Sequence, residues 1–270
     1  MSIAPNRSPI QSEAAVEPLL AVPELDFDLP PPALPLPPLM SPRVEEDLAP
    51  MPDVAAWLTE GKPLTYPAGN RSWAYLAIKR LFDIVAAVVL LVLFAPIMVA
   101  VWAVLLVTTR GKPFFCQQRV GHCGRMFPML KFRTMRLDAD RVQAQVKNEK
   151  DGPIFKNRRD PRITPIGRIL RSTSIDEMPQ LLNVLFGHMS LVGPRPPIAS
   201  EVAQYKAWQF GRLAVKPGLT CLWQVSGRSE IGFEDWVRMD LWYVEHQNLW
   251  TDLKLLVRTP LSVLSRRGAY

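Results

Sequence analysis

The sequence predicts an α+β fold, mainly helical: a re-entrant membrane helix-break-helix, a cytosolic helical core with a small β-hairpin, and amphipathic helices at the interface. Three observations carry this. Ile84 to Val107 is a run of 24 residues without a charge, interrupted by Pro96. Both flanks of that run are basic, with Arg71, Lys79 and Arg80 before it and Arg110, Lys112 and Arg119 after it. Beyond it, short β-prone stretches around a glycine-bearing loop give way to helix-patterned segments that hold five of the eight tryptophans.

Residues 1–70 read as a proline-rich acidic tail. Fifteen of the 27 prolines lie there, and the segment carries a net charge of −7 against +14 for the remainder. The run Leu29 to Met40 lacks too many backbone donors for a helix or a sheet ladder, so polyproline II or disorder is expected. The amino terminus has no basic segment followed by an apolar core and a small-residue cleavage site, so the tail is expected in the cytosol. Cys116, Cys123 and Cys221 are odd in number and show no paired spacing, which suits free thiols in a reducing compartment and argues against zinc.

Residues 71–110 form the membrane segment. As one helix, Ile84 to Val107 would reach roughly 36 Å, enough to cross a bilayer core of about 30 Å. Pro96 divides it into arms of about 17 Å, each too short to cross alone. A segment that crosses once carries positive charge mainly on one side, whereas one that dips and returns carries it on both, so the charge symmetry favours a re-entrant hairpin over a kinked single span. Proline is tolerated in spanning helices, and both topologies stay open at this level. Asp83 is expected to pair with Lys79 or Arg80 one turn back.

Residues 111–270 read as a cytosolic, membrane-associated core. Phe114 to Arg119 and Met126 to Arg133 flank Gly121 to Gly124 as a β-hairpin. Leu137 to Lys147 has the charge mix of an exposed helix, and Asp151 to Pro165 is a basic, turn-rich loop. Ile166 to Thr173 reads as a helix with Arg168 and Arg171 on one face. Met178 to Phe186 resumes the helical pattern, with Gly187 as its stop. Helices around Glu234 to Val244 and Leu249 to Arg258 carry tryptophans suited to a bilayer interface.

Between these helices lies Ser174-Ile175-Asp176-Glu177-Met178-Pro179-Gln180. Ser174 and Glu177 have the spacing of a capping box, in which serine and glutamate each satisfy a free amide at a helix start. Pro179 complicates that cap. A helix amino terminus would also attract phosphate, so the cap and a catalytic role can coexist. A carboxylate beside several guanidinium groups is expected to stay ionised, and the same arginines can hold a diphosphate against it. For Arg168, Arg171 and Arg195 individually, a solvated basic face or contact with anionic headgroups is the alternative. The basic clusters contain no nucleic-acid module and sit beside acidic residues that would repel a phosphate backbone, which excludes nucleic acid as the partner.

Lys79, Arg80 and Asp83 before the apolar run, Lys131-Phe132-Arg133-Thr134-Met135, Arg171 through Gln180, and Gly193-Pro194-Arg195-Pro196 together resemble the bacterial sugar transferases, the monotopic polyprenol-phosphate phosphoglycosyl transferases. The pattern around Gly218 to Arg228 and Asp240 to Trp250 looks most like the exopolysaccharide-initiating type. The resemblance implies transfer of a hexose 1-phosphate from a UDP-sugar, glucose or galactose, to undecaprenyl phosphate at the inner (cytoplasmic) membrane, with the active site on the cytoplasmic face. It makes Asp176 the nucleophile, with Glu177 positioning Mg²⁺ or deprotonating the incoming lipid phosphate. Mg²⁺ is the implied cofactor, held by Asp176 and Glu177 together with substrate phosphates. Arg171 and Arg195 become phosphate clamps, with Arg168, Lys131 and Arg133 as further contacts, and Pro96 the hairpin break. Ala95 stands where the family often has serine, so the break must be satisfied otherwise. Where larger relatives carry a bundle of membrane helices, this chain has its tail, either docking glycan-assembly proteins or simply solubilising. The rival from another class is a non-catalytic membrane-surface adaptor for polysaccharide assembly.

Overall fold

The computed structural model describes residues 72–149, 152–226 and 231–265. The expected tail, residues 1–70, lies outside the described residues.

Helix α1 runs Trp73–Thr108. Ser72 caps its start by accepting from Ala74 N, and the chain leaves it through two left-handed residues, Arg110 and Gly111. Where the sequence predicts a break at Pro96, the helix is continuous. One missing donor removes a single bond of the ladder while both arms keep theirs. This is a helix long and apolar enough to cross a membrane, and its most apolar stretch is almost entirely unburied.

Both ends of α1 nevertheless rest on the same body. Near its start, Asp83 Oδ1 accepts from Ser190 Oγ at 3.1 Å and Leu191 N at 3.0 Å, and Lys79 Nζ reaches Asp252 Oδ2 at 2.7 Å. The expected Asp83 pairing with Lys79 or Arg80 therefore does not form, because each finds a partner outside the helix. Arg80 donates to Val184 O and Leu185 O instead. Near its end, Leu105 is buried with Phe132 and Leu170, and Met98 and Val101 pack against that cluster.

Strands β1 (Phe114–Val120) and β2 (Met126–Phe132) form the expected antiparallel hairpin, paired from Phe114↔Phe132 to Val120↔Met126. Its loop turns through Cys123 and Gly124, both at positive φ. Leu137 to Lys147 does not form a helix: it is a succession of turns with one short 3₁₀ segment, Gln143–Gln145. Of that stretch only Ala139 is buried, and a polar segment with no apolar stripe has no packing to sustain a helix.

Helix α2 (Pro165–Ser172) starts as the chemistry dictates, with Pro165 in its first turn and the Thr164 hydroxyl accepting from Gly167 N at 2.9 Å. Gly167 is required there, since a Cβ would lie 2.0 Å from Thr134 O. After a 3₁₀ turn, Ile175–Glu177, helix α3 (Gln180–Leu185) follows and ends near Gly187 at positive φ. Strand β3 (Ser190–Val192) pairs in parallel with β4 (Gly218–Thr220).

Helices α4 (Ala199–Val202), α5 (Leu222–Ser226), α6 (Phe233–His246) and α7 (Leu249–Ser265) complete the body. Helix α6 does not offer the expected interfacial face, because Phe233, Trp236, Val237, Met239, Leu241 and Tyr243 are all buried. Helix α7 does carry an exposed apolar row, Leu249, Trp250, Leu253, Val257 and Leu261. Trp223 and Trp236 are core residues with ring centroids 4.2 Å apart, not membrane anchors. All three cysteines are free thiols.

Candidate active site

The site is assembled where β2, the Ile175–Glu177 turn and the loop after β3 meet. Ser174, at φ 57°, sits in the left-handed region and turns the chain out of α2. Its side chain makes no cap bond, so the expected capping box is absent. The turn leaves Asp176 buried and Glu177 partly exposed. Lys131, near the end of β2, donates to Glu177 Oε1 at 2.6 Å. Asn183 fixes the spacing of these elements from α3: its Oδ1 accepts from Leu130 N at 3.0 Å and its Nδ2 donates to Pro128 O at 2.7 Å.

The two adjacent carboxylates are driven apart. Burial and then the charge on Glu177 push the Asp176 pKa up to about 6, against the pull of Lys131 and Arg171. Burial also raises Glu177, but Lys131, with Arg195 and Arg119 behind it, outweighs that and leaves it below the ordinary range. Neighbouring cations thus keep Glu177 ionised, but the ammonium of Lys131 leads and the guanidinium groups follow; at Asp176 the expected depression of the pKa fails, because desolvation is the larger effect there.

Arg171 is held by its Nε donating to Thr134 Oγ1 at 2.9 Å, and its charge is felt at Asp176. Arg195 lies 5.6 Å from the Trp236 ring centroid. Buried Arg212 lies 5.5 Å from that centroid, donates to Arg195 O at 3.0 Å and pairs with Asp240. A cleft beside this cluster is lined by Lys131, Glu177, Gln180 and Arg195. Asp176 itself does not line that cleft.

A model of the bacterial sugar transferase family matches residues 74–266. The chain belongs to that family. This bacterial sugar transferase is 44% identical over 203 residues to the undecaprenyl-phosphate galactose phosphotransferase of Salmonella typhimurium, a match covering 72% of this chain and 42% of that protein. It is 39% identical over 198 residues to the exopolysaccharide production protein ExoY of Rhizobium meliloti, covering 71% of this chain and 88% of ExoY. To the UDP-glucose:undecaprenyl-phosphate glucose-1-phosphate transferase of Klebsiella pneumoniae it is 36% identical over 203 residues, covering 72% and 42%. The match thus spans less than half the length of the Salmonella and Klebsiella proteins and most of ExoY.

Not every arginine of this sugar transferase that the sequence nominates reaches the carboxylates. Arg168 is exposed on α2. Arg133 donates to Lys112 O at 2.8 Å and Phe114 O at 3.1 Å, bracing the entry to β1. A residue the sequence reading leaves as a flanking charge belongs instead to the site: Arg119 is buried, donates to Pro196 O at 3.0 Å and acts on Glu177. Burial and then Arg195 pull its pKa down to about 10. Its signal in the sequence was only its place in a strand whose neighbours are apolar or neutral.

Among the described residues no group of three or more histidine, cysteine, aspartate or glutamate side chains gathers to hold a metal. Asp176 and Glu177 are two adjacent carboxylates. That donor set fits a hard divalent ion that takes its remaining ligands from phosphate oxygens and water.

Proposed function

We propose that the chain transfers a hexose 1-phosphate from a UDP-hexose to undecaprenyl phosphate through a covalent intermediate on Asp176. The observation that carries this reading is the buried Asp176 beside Glu177, with Lys131 paired to Glu177 and Arg171 acting on Asp176. Near neutral pH a group with a pKa of about 6 is mostly ionised yet poorly solvated, a combination suited to a nucleophile.

In the first half-reaction an Asp176 oxygen attacks the phosphorus that bears the sugar. A new O–P bond forms, the bond to the bridging oxygen breaks, and that oxygen leaves with the electron pair as UMP. In the second, an oxygen of undecaprenyl phosphate attacks the same phosphorus and returns Asp176 as a carboxylate. Attack of one anion on another is slow unless fixed cations neutralise and align the pair, the task given to Arg171, Arg195 and Arg119. Asp176 and Glu177 would hold Mg²⁺, which when bound supplies charge neutralisation on the diphosphate. Glu177, kept ionised by Lys131, is also the base available to the incoming lipid phosphate.

The same reading makes α1, though unbroken as a helix, a segment that bends at Pro96 within one leaflet of the inner membrane and returns, with the site on the cytoplasmic face. What supports it is that contacts at Asp83 and at Met98 engage one body, and the helix between them reaches only about 22 Å, short of a bilayer core of about 30 Å. Two of the relatives, a galactose phosphotransferase and a UDP-glucose-dependent glucose-1-phosphate transferase, support the donor class.

Incubation of the protein in membranes with a UDP-hexose and Mg²⁺ tests the reading. UMP release and a transient phosphosugar adduct are expected, both abolished in Asp176→Asn. Release of UDP would select a glycosyltransferase that moves the sugar without its phosphate, and neither product would leave the adaptor.

A further inference from the structure

Two cations converge over Gly187, at the foot of α1. A Cβ on Gly187 would lie 3.3 Å from Arg80 Nη2 and 3.7 Å from Lys216 Nζ. The two charges are therefore no more than about 7 Å apart, close enough for appreciable repulsion in a partly dry setting. Arg80 is anchored by its bonds to Val184 O and Leu185 O at the end of α3. Lys216 is half-buried and has neither a hydrogen bond nor an ion pair among the described residues.

The neighbouring acids are already engaged. Asp83 accepts from Ser190 and Leu191, and Asp252 holds Lys79. Burial and then Arg80 and Lys79 pull the Lys216 pKa down, opposed by Asp83. Phe186, adjacent to Gly187, is 68% exposed. Arg80 precedes the uncharged run that begins at Ile84 by one helical turn, so on the membrane placement proposed above this spot lies at headgroup depth. An unpaired ammonium, a fixed guanidinium, a side-chain-free gap between them and an exposed aromatic ring match a phosphate carried on an apolar tail.

We propose that Arg80 and Lys216 form a binding site for the phosphate of a membrane lipid, seated over Gly187 and separate from the cleft beside Glu177. The inference rests on the membrane placement of α1. Two lipids share the chemistry, an anionic phospholipid and the polyprenol phosphate itself.

The test uses the full chain with Lys216→Gln and Lys216→Arg. Binding is measured to vesicles of phosphatidylcholine alone and of phosphatidylcholine with phosphatidylglycerol, and the KM for undecaprenyl phosphate is taken alongside. Lys216→Gln is expected to lose about fivefold in one of these, the effect of one cation at a lipid surface, and Lys216→Arg to retain most of it. A loss confined to phosphatidylglycerol vesicles assigns the site to bulk lipid. A raised KM with vesicle binding intact assigns it to the acceptor. If neither quantity moves, or if both variants lose equally on neutral and anionic vesicles, the site is overturned. Wild-type protein that ignores both vesicle types would overturn the membrane placement itself, and the site with it.

Discussion

Lys131 Nζ stands 2.6 Å from Glu177 Oε1, and this ion pair ties the end of β2 to the turn that carries Asp176. The pair does two things at once. It keeps Glu177 charged, and its positive end lowers the pKa of Asp176 against the larger effect of burial.

Replacing Lys131 by methionine removes both effects. The pH at which UMP release reaches half its maximum is expected to move to higher pH, because Asp176 loses one of the charges holding its pKa down. Turnover at neutral pH is expected to fall at least about tenfold. A pH profile of single-turnover UMP release checks this, and a profile that keeps its midpoint while losing amplitude would assign Lys131 to substrate contact alone.

Asp176, the proposed nucleophile, should also be a liability to the fold. Its folded pKa, about 6, lies above the unfolded value near 3.8, so stability is greatest below the lower value and is lost as pH rises through the higher one. Asp176→Asn is therefore expected to stabilise the protein by about 1–3 kcal/mol at pH 8 and by little at pH 4. Thermal unfolding at the two pH values measures the difference, and an equal gain at both would exclude a charge effect.

A second ion pair, between Lys79 at the start of α1 and Asp252, makes a mechanical prediction. Lys79→Met leaves Asp252 buried without its cation, at an expected cost of about 3–5 kcal/mol. The double variant with Asp252→Asn removes the orphaned charge and is expected to recover a substantial part. Denaturation in matched detergent would show whether the two changes couple or add.

Single cysteines introduced at Trp73 and Arg110, on a cysteine-free background, report on the two ends of α1. Both are exposed, and both are expected to react with a membrane-impermeant reagent from the cytoplasmic side. Reaction from opposite sides would replace the re-entrant topology with a span.

The hairpin, α2 and the approximate course of α3 were legible in the residues because each carries its own local signal: β-prone stretches around a glycine loop, the helical pattern of Ile166 to Thr173, Gly187 at a stop; the start of α2 at Thr164 and Pro165 was missed, Pro165 having been read as loop. Asp176, Glu177, Lys131 and Arg171 were nominated as a group, and the fold brings them together. Arg119 and Asn183 were not, since their roles come from contacts with residues 77 and 53 positions away. The pKa of Asp176 was misjudged because sequence shows which charges are near and not how much water is excluded. Helix α6 misled for a related reason: tryptophan suits an interface and a core equally well, and only tertiary packing separates the two.

Val192 O accepts from Lys79 at 3.4 Å and from Tyr243 at 3.0 Å, and three residues further along the chain stands Arg195. On the membrane placement proposed above, tilting or lifting of α1 by a thicker or thinner bilayer would pull on the strand end that leads to Arg195. On the proposed reading, donor affinity would then vary with the surrounding lipid, and donor binding measured in bilayers of different thickness checks this.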